Sequence, residues 1–434
     1  MKLIHDIPKN EGVANAIKRA YQITDCRWHA LRPIPSSSSI LRSKECKKSY
    51  ADTYIRPLVP QKGMLYSAAR KDDKFVGFAV TPETYMTALL NPYSVLYTRD
   101  LHGTKGSVGC YYGMVCSCMV SYVTGQKLRI ACRDWPKWPG VTELDPNDLD
   151  ALELCDILDC TVAHDHIVII TDIARDEEGH VQMIEVSEST TCYARRRLFN
   201  LEQFRKIWLE QNFRIYRLGD LSHVTFTPSE YLPTRGEEFF LPEGFDLMTN
   251  WGHKASVLLG EEPVELTLLQ GDWDEFEVTL PDGSKKSYPT GGLKEKVQTT
   301  YEQHSYILRC GDPVSIDCPI VGDYTAVCKK GDKVSKPVCW HVHSIRLSCD
   351  KEIYKVGEPI TLTYENAEND EIFEYLINYL PSNAIRTYSL FDGGKKGSVT
   401  LPGIQKPGFH WGVVISKNDT CCYASNKIFF EVEV

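Results

Sequence analysis

The C-terminal half of this chain carries one three-part pattern twice, in the same order. Glu262-Pro263-Val264-Glu265-Leu266-Thr267 is echoed by Glu358-Pro359-Ile360-Thr361-Leu362-Thr363. Gly322-Asp323-Tyr324-Thr325-Ala326-Val327 is echoed by Gly408-Phe409-His410-Trp411-Gly412-Val413. Each copy then passes through a loop into a closing run, Val338-Cys339-Trp340-His341-Val342 in one and Ile428-Phe429-Phe430-Glu431-Val432 in the other. A matched order of this kind marks two copies of one supersecondary unit. The runs are short, alternate apolar with polar residues, and are separated by turns such as Pro281-Asp282-Gly283, which is the pattern of half-buried strands in an all-β sandwich. We therefore expect two sandwiches of seven or eight strands each, at 231–344 and 345–434, with the boundary near Ser344.

Residues 1–230 have a different texture. The spacing predicts a short helical arm over Glu11–Tyr21, then a turn-forming stretch at Pro33–Ser39. Pro82–Leu90 reads as a helix with proline in its first turn, and Leu201–Glu210 as a helix with Phe204, Ile207 and Trp208 on one face. The expected class is thus multi-domain: an α+β region followed by two β-sandwiches.

The chemistry sits in Tyr111-Tyr112-Gly113-Met114-Val115-Cys116-Ser117-Cys118-Met119-Val120-Ser121-Tyr122-Val123-Thr124-Gly125. This reads as a helix entered after Gly113 and stopped by Gly125. Val115, Cys118, Met119, Tyr122 and Val123 form its core-facing stripe, so Cys118 is expected to pack. Cys116 lies off that stripe in the first turn, where unpaired N–H groups and the helix dipole favour a thiolate. A thiolate nucleophile needs a partner base. His166 opens the apolar run Ile167-Val168-Ile169-Ile170, a buried strand, and a turn at Arg175–Gly179 leads to a second strand, Val181–Ser187. A third residue would orient the imidazole through its other nitrogen. Glu185, Ser187 and Glu188 all qualify, because sequence does not set the hairpin register.

These motifs resemble those of NlpC-type papain-like cysteine peptidases, over roughly Gly63 to Leu221. That family carries Asp-Cys-Ser-Gly opening a helix, a histidine opening a strand, and a polar residue on the next strand. Here Val115-Cys116-Ser117-Cys118, His166-Ile167-Val168-Ile169 and Ile184-Glu185-Val186-Ser187 stand at those places. Cys155-Asp156 stands where the family has Gly-Asp. The sequence departs from the pattern in having Val115 before the cysteine, Cys118 after the serine, and an acid at the third position. The resemblance implies Cys116 as nucleophile, His166 as base and Glu185 as the orienting group. Tyr112 and, in the rigid aromatic loop after the Cys helix, Trp135 are candidates to line a substrate groove, packing onto the domain being the alternative for Trp135, while by the resemblance Tyr97, upstream like the family's Pro-Tyr motif, would assist the oxyanion. The resemblance also implies a cysteine peptidase or amidase acting on bacterial cell-wall peptides, without metal or organic cofactor. The repeated C-terminal modules resemble bacterial immunoglobulin-like modules and would serve as spacers or as docking surfaces for the cell wall or another protein.

Other readings compete. A degenerate peptidase fold acting as a surface binding protein, or a thiol acyltransferase, would use the same framework. Cys160, His164 and His166, or Cys339, His341 and His343, offer metal donors, but neither set has the paired spacing of a structural zinc site. Arg195-Arg196-Arg197 reads as a solvated charge run. The formal net charge of -9 argues against a nucleic-acid partner. No apolar run reaches the ~18–20 residues of a membrane span. Met1–Tyr21 lacks the pattern of an export leader. The 16 cysteines have no regular spacing and fit free buried thiols in a reducing setting. Cell-wall chemistry points instead to the envelope or the exterior, so sequence alone leaves the location open.

Overall fold

The structure, a computed structural model, describes residues 2–32, 60–66, 80–98, 113–126, 129–162, 165–190, 193–229, 243–260, 263–301, 304–365, 371–379, 386–389, 396–417 and 422–434, together with short strand pairs at 34–35 with 54–55 and 70–71 with 74–75. Strand dominates, in several separate sheets.

The N-terminal region is built on an antiparallel sheet of seven strands: β1 (Ile4–His5), β2 (Thr142–Glu143), β3 (Ile157–Cys160), β4 (His166–Arg175), β5 (Val181–Ser189), β6 (Ala194–Asn200) and β7 (Arg214–Arg217). Their order is β6-β5-β4-β3-β7-β2, with β1 pairing β4. The Ile167–Ile170 run of β4 is fully buried, as its unbroken apolar character requires. Helix α1 (Glu11–Asp25) starts at Asn10, whose side chain accepts the Val13 N–H at 2.9 Å. It runs four residues beyond the expected arm because Ala20, Ile23 and Thr24 continue its buried face against β5 and β6. Helix α2 (Pro82–Ala88) is capped by Thr81 and has proline in its first turn, as expected. After the short helix α3 (Val95–Thr98), the chain reaches α4 (Cys116–Val123), which packs on β4, β5 and α1. Helix α5 (Leu201–Ile207) opens with a capping box between Asn200 and Gln203, and its last expected turn is a tighter 3-10 turn at Leu209–Gln211.

The two C-terminal repeats fold alike. In the first, Val264–Leu268 is the central strand of a three-stranded sheet with Leu247–Thr249 and Val314–Ile316. A six-stranded sheet places Gly322–Lys330 between Glu275–Thr279 and the closing strand Val338–His343, and that closing strand pairs in parallel with Ala255–Leu258. In the second, Ile360–Glu365 takes the central place between Arg346–Cys349 and Lys396–Leu401. Gly408–Lys417 pairs with the closing strand Ile428–Glu433, which runs parallel to Ile353–Lys355. The echoed blocks thus occupy equivalent strands in both copies. The first copy contains an additional hairpin, Lys294–Tyr301 with His304–Cys310.

The second repeat has its own core, which includes Leu347, Ile360, Leu362, Val414 and Phe430. The first shares a continuous core with the N-terminal region. Helix α2 and the chain after it make that joint. Thr87 Oγ1 accepts the His253 N–H at 2.8 Å, and the Val95 N–H donates to the Asn250 carbonyl at 3.0 Å. Gly252, at φ +88°, lets the two backbones meet: a Cβ there would stand 2.2 Å from the Thr84 carbonyl oxygen.

Candidate active site

Helix α4 begins at Cys116 itself. Every residue in it except Tyr122 is buried, so the expected apolar stripe is one part of a helix enclosed almost all round. Its polar groups are matched accordingly. Ser121 Oγ accepts the Ile130 N–H at 2.9 Å, and Arg129 donates to Ser117 Oγ at 3.3 Å. Gly125, at φ +70°, ends the helix as the sequence indicated. Val115 at the N-cap supplies no side-chain acceptor, so no cap side chain takes up the first-turn N–H groups at the positive helix end where Cys116 sits.

Cys116 and His166 come together. His166 is close enough to lower the Cys116 thiol and to be raised by it in return, and the Ile167 backbone acts on the sulfur in the same direction. A third influence was not foreseen. The Cys132 sulfur lies 3.9 Å from that of Cys116. Its hydrogen bond is the largest influence holding the Cys116 thiol well below its ordinary range; burial opposes it and His166 adds to it. Cys132 is pushed far up in return, first by that same hydrogen bond and then by burial, so the pair shares one proton. For the neutral thiol, the Asp165 carbonyl 3.9 Å away is an acceptor.

Burial by itself would depress the His166 imidazole. Hydrogen bonds to Cys116 and Glu188 outweigh it and raise the ring to about 9. The Nε2 atom faces Glu188 Oε2 at 3.0 Å. Trp208 stacks beside the ring at 6.4 Å, and Phe213 meets it edge-on at 6.2 Å. The ring is therefore held on its sides as well as at Nε2.

The expected orienting group, Glu185, is not at His166. Its carboxylate accepts from Tyr21 at 3.0 Å, Thr171 at 2.9 Å and Arg196 at 2.7 Å. The reason is parity. Glu185 and Glu188 lie three apart on one strand, so their side chains leave opposite faces of the sheet. Ser187 shares the Glu185 face and bonds to Thr171 Oγ1 at 3.0 Å. Glu188 is almost fully buried beside His166 and sits at about 2: burial would raise it, but His166, Arg197 and Arg195 pull it down.

The arginine run accounts for much of this and is not the solvated stretch expected. On β6, Arg195 and Arg197 both reach Glu188 Oε1, at 2.9 and 2.7 Å. Arg196 turns to the other face, where it bonds Asp25 at 2.5 Å and Glu185 at 2.7 Å and lies over the Tyr21 ring. The period of two was present in the sequence and would have separated these roles.

The expected substrate residues behave differently. Tyr97 is buried; its hydroxyl donates to the Leu89 carbonyl at 2.8 Å and accepts the Leu31 N–H at 3.1 Å, so it braces the interior instead of an oxyanion. Trp135 is completely buried and forms no wall of a groove. Tyr112 falls outside the described residues. Tyr66, which sequence reasoning passed over, is close enough for its hydroxyl to feel Cys116, Cys132 and Asp165; burial first, then those charges, hold its proton on. Asp159 is raised to about 7, by burial first and then by the charges of Cys116 and Asp165.

Among the described residues no three His, Cys, Asp or Glu side chains converge as a metal site. His164 lies outside them. The set at Cys339, His341 and His343 is divided: the Cys339 sulfur is 3.8 Å from the His253 ring, and His341 bonds Asp323 at 2.7 Å. Among the described residues no helix is long and apolar enough to cross a membrane.

One further feature bears on the family pattern. Cys155, at the place of the family's Gly-Asp glycine, has φ +71°. The next residue, Asp156, receives Arg217 through both carboxylate oxygens, at 3.1 and 2.9 Å.

No known protein family's profile matches the chain, and no curated protein matches it. Solved structures that match include the chicken interferon gamma receptor alpha chain, at 10% identity over 43% of this chain and 97% of that one, with a TM-score of 0.21. A likeness of that size assigns no fold.

Proposed function

We propose that the N-terminal region is a cysteine hydrolase, a peptidase or amidase of papain-like, NlpC-type design, in which Cys116 is the nucleophile, His166 the acid–base group and Glu188 the orienting acid. One observation carries this reading: a buried cluster in which Cys132 Sγ lies 3.9 Å from Cys116 Sγ and Glu188 Oε2 lies 3.0 Å from His166 Nε2, with the Cys116 thiol lowered by Cys132 and His166 and the imidazole raised by Cys116 and Glu188. A core cysteine held only for packing would have its thiol raised by burial, as Cys26 and Cys155 are, both to about 12.

In this mechanism the thiolate attacks an amide carbonyl, and the developing oxyanion is met by the backbone N–H groups at the start of α4. His166 then passes its proton to the leaving amine, and later takes one from the water that releases the acyl group. Glu188 keeps Nε2 bonded and so orients the ring throughout. Arg195 and Arg197 hold Glu188 ionised.

The left-handed backbone at Cys155 further supports the family likeness, because a glycine is what such a position ordinarily takes. By that likeness the substrate is a peptide of the bacterial cell wall, and the two repeated sandwiches are immunoglobulin-like modules that space or dock the catalytic region. The test is release of new amines from purified peptidoglycan and from a short stem peptide. We expect turnover by the full chain and none by Cys116→Ala. Equal release by both, or by neither, overturns the assignment.

A further inference from the structure

Cys132 lies closer to the candidate nucleophile than any bond-breaking chemistry requires. The two sulfurs are 3.9 Å apart, and both are buried, Cys116 at the start of α4 and Cys132 at the start of the 3-10 turn Cys132–Lys137. Hydrolysis by a Cys–His–acid mechanism uses one thiol. A second thiol in contact with the first gives the site a separate chemistry.

We propose that Cys116 and Cys132 form a redox-modification site whose substrate is a hydroperoxide, Cys116 being the peroxidatic thiol and Cys132 the resolving thiol. This goes beyond the hydrolytic reading and does not depend on it, since it needs only the two sulfurs and the neighbouring imidazole.

The Cys116 thiolate attacks one oxygen of the hydroperoxide; an S–O bond forms, the O–O bond breaks, and the alcohol, or water from hydrogen peroxide, leaves after taking a proton. Cys116 is now a sulfenic acid, oxidised by two electrons. The Cys132 sulfur then attacks the Cys116 sulfur. The S–S bond forms, the S–O bond breaks, and the hydroxyl departs as water with the proton that Cys132 gives up. In sum, two thiols and one hydroperoxide yield one disulfide, one alcohol and one water.

The surroundings suit each half of this sequence. In the reduced site, Cys132 at 3.9 Å and His166 both lower the Cys116 thiol, so Cys116 is the thiol that reacts first. The Cys132 proton is retained because of its hydrogen bond to Cys116, its burial and the negative charge on Cys116. Oxidation of Cys116 removes the first and third of these influences at the moment when Cys132 must ionise. A disulfide would occupy the nucleophile and can be undone by a dithiol reductant, whereas an unresolved sulfenic acid goes on to sulfinic acid.

The experiment treats the full chain with equimolar and then excess hydrogen peroxide, quenches with an alkylating agent and maps peptides by mass. We expect a Cys116–Cys132 cross-linked peptide pair, a loss of two hydrogens from the intact mass, and full return to the reduced mass with dithiothreitol. In Cys132→Ser and Cys132→Ala, Cys116 should instead gain two oxygens, and dithiothreitol should not reverse it. The proposal is overturned if the wild-type chain yields no such cross-link, or if its Cys116 reaches the sulfinic state as readily as in the variants. Because the readout is mass and not turnover, a chain that hydrolyses nothing can still form the cross-link, and an active one can fail to.

Discussion

Glu188 Oε2 lies 3.0 Å from His166 Nε2, while Glu185, three residues earlier on the same strand, is bonded to Tyr21, Thr171 and Arg196 on the other face of the sheet. The two acids therefore separate cleanly by experiment. Glu188→Gln keeps the shape but removes the charge that holds the imidazolium, and it leaves Arg195 and Arg197 facing a neutral amide. We expect kcat/KM for amide hydrolysis, and the alkylation rate of Cys116, to fall roughly 10²-fold. Glu185→Gln should leave both within a few-fold while lowering the unfolding midpoint. The reverse pattern would return the orienting role to Glu185.

That distinction shows what the sequence contained and what it withheld. The Cys116 helix with its Gly125 stop, the buried His166 strand and the doubled C-terminal pattern were all readable, because each rests on local periodicity and turn chemistry. The third residue was not, because hairpin register depends on long-range pairing: Ile169 opposite Ser187 puts Glu188 on the His166 side. Parity alone would have set Glu185 apart from Glu188 and split Arg196 from Arg195 and Arg197. Cys132 had no local signal. Its place beside Cys116 comes from the loop after α4 folding back to bond Ser121 through the Ile130 N–H. Tyr97 is expected at the site by resemblance to the family's Pro-Tyr motif and Trp135 by its place just after the Cys helix, and both are taken up by the interior instead.

His166 gives a pH prediction with a defined sign. Its ordinary value is 6.5 and its folded value about 9, so its contribution to stability is complete below about 6.5 and is lost as pH rises through about 9. Glu188 works in the opposite sense. Its ordinary value is 4.5 and its folded value about 2, so its contribution is present above about 4.5 and disappears as pH falls through about 2. Followed by ring NMR, the His166 titration should move down towards its ordinary value in Cys116→Ala, because Cys116 is the first of the influences raising it. An unchanged titration would mean that the two side chains are not coupled.

Arg196 is predicted to be structural. It bridges Asp25 and Glu185 in a largely buried network and lies over Tyr21. Arg196→Ala leaves two acids without their cation, a change that typically costs about 3 kcal/mol. Denaturant unfolding should show that loss, and Arg196→Lys should recover only part of it, because one ammonium cannot reproduce the forked contact. A neutral Arg196→Ala would place the network outside the stability of the fold.

Cys155 permits an inverted substitution test. With φ +71°, any side chain there pays about 1–2 kcal/mol relative to glycine. Both Cys155→Ala and Cys155→Gly lose the buried thiol, but glycine alone relieves the backbone. We expect the glycine variant to be at least as stable as the alanine variant, against the usual order of those two residues. A markedly weaker glycine variant would show that the left-handed conformation is not under strain.

The central claim is that Cys116 exists as a thiolate paired with the His166 imidazolium. The most direct measurement is the rate of Cys116 alkylation by iodoacetamide from pH 4 to 10, read by peptide mass. A plateau through neutral pH, far below the range of an ordinary thiol, with loss of the low-pH reactivity in His166→Ala, is the result this account predicts. A Cys116 that reacts only as pH approaches its ordinary value of 9, with or without His166, would contradict it.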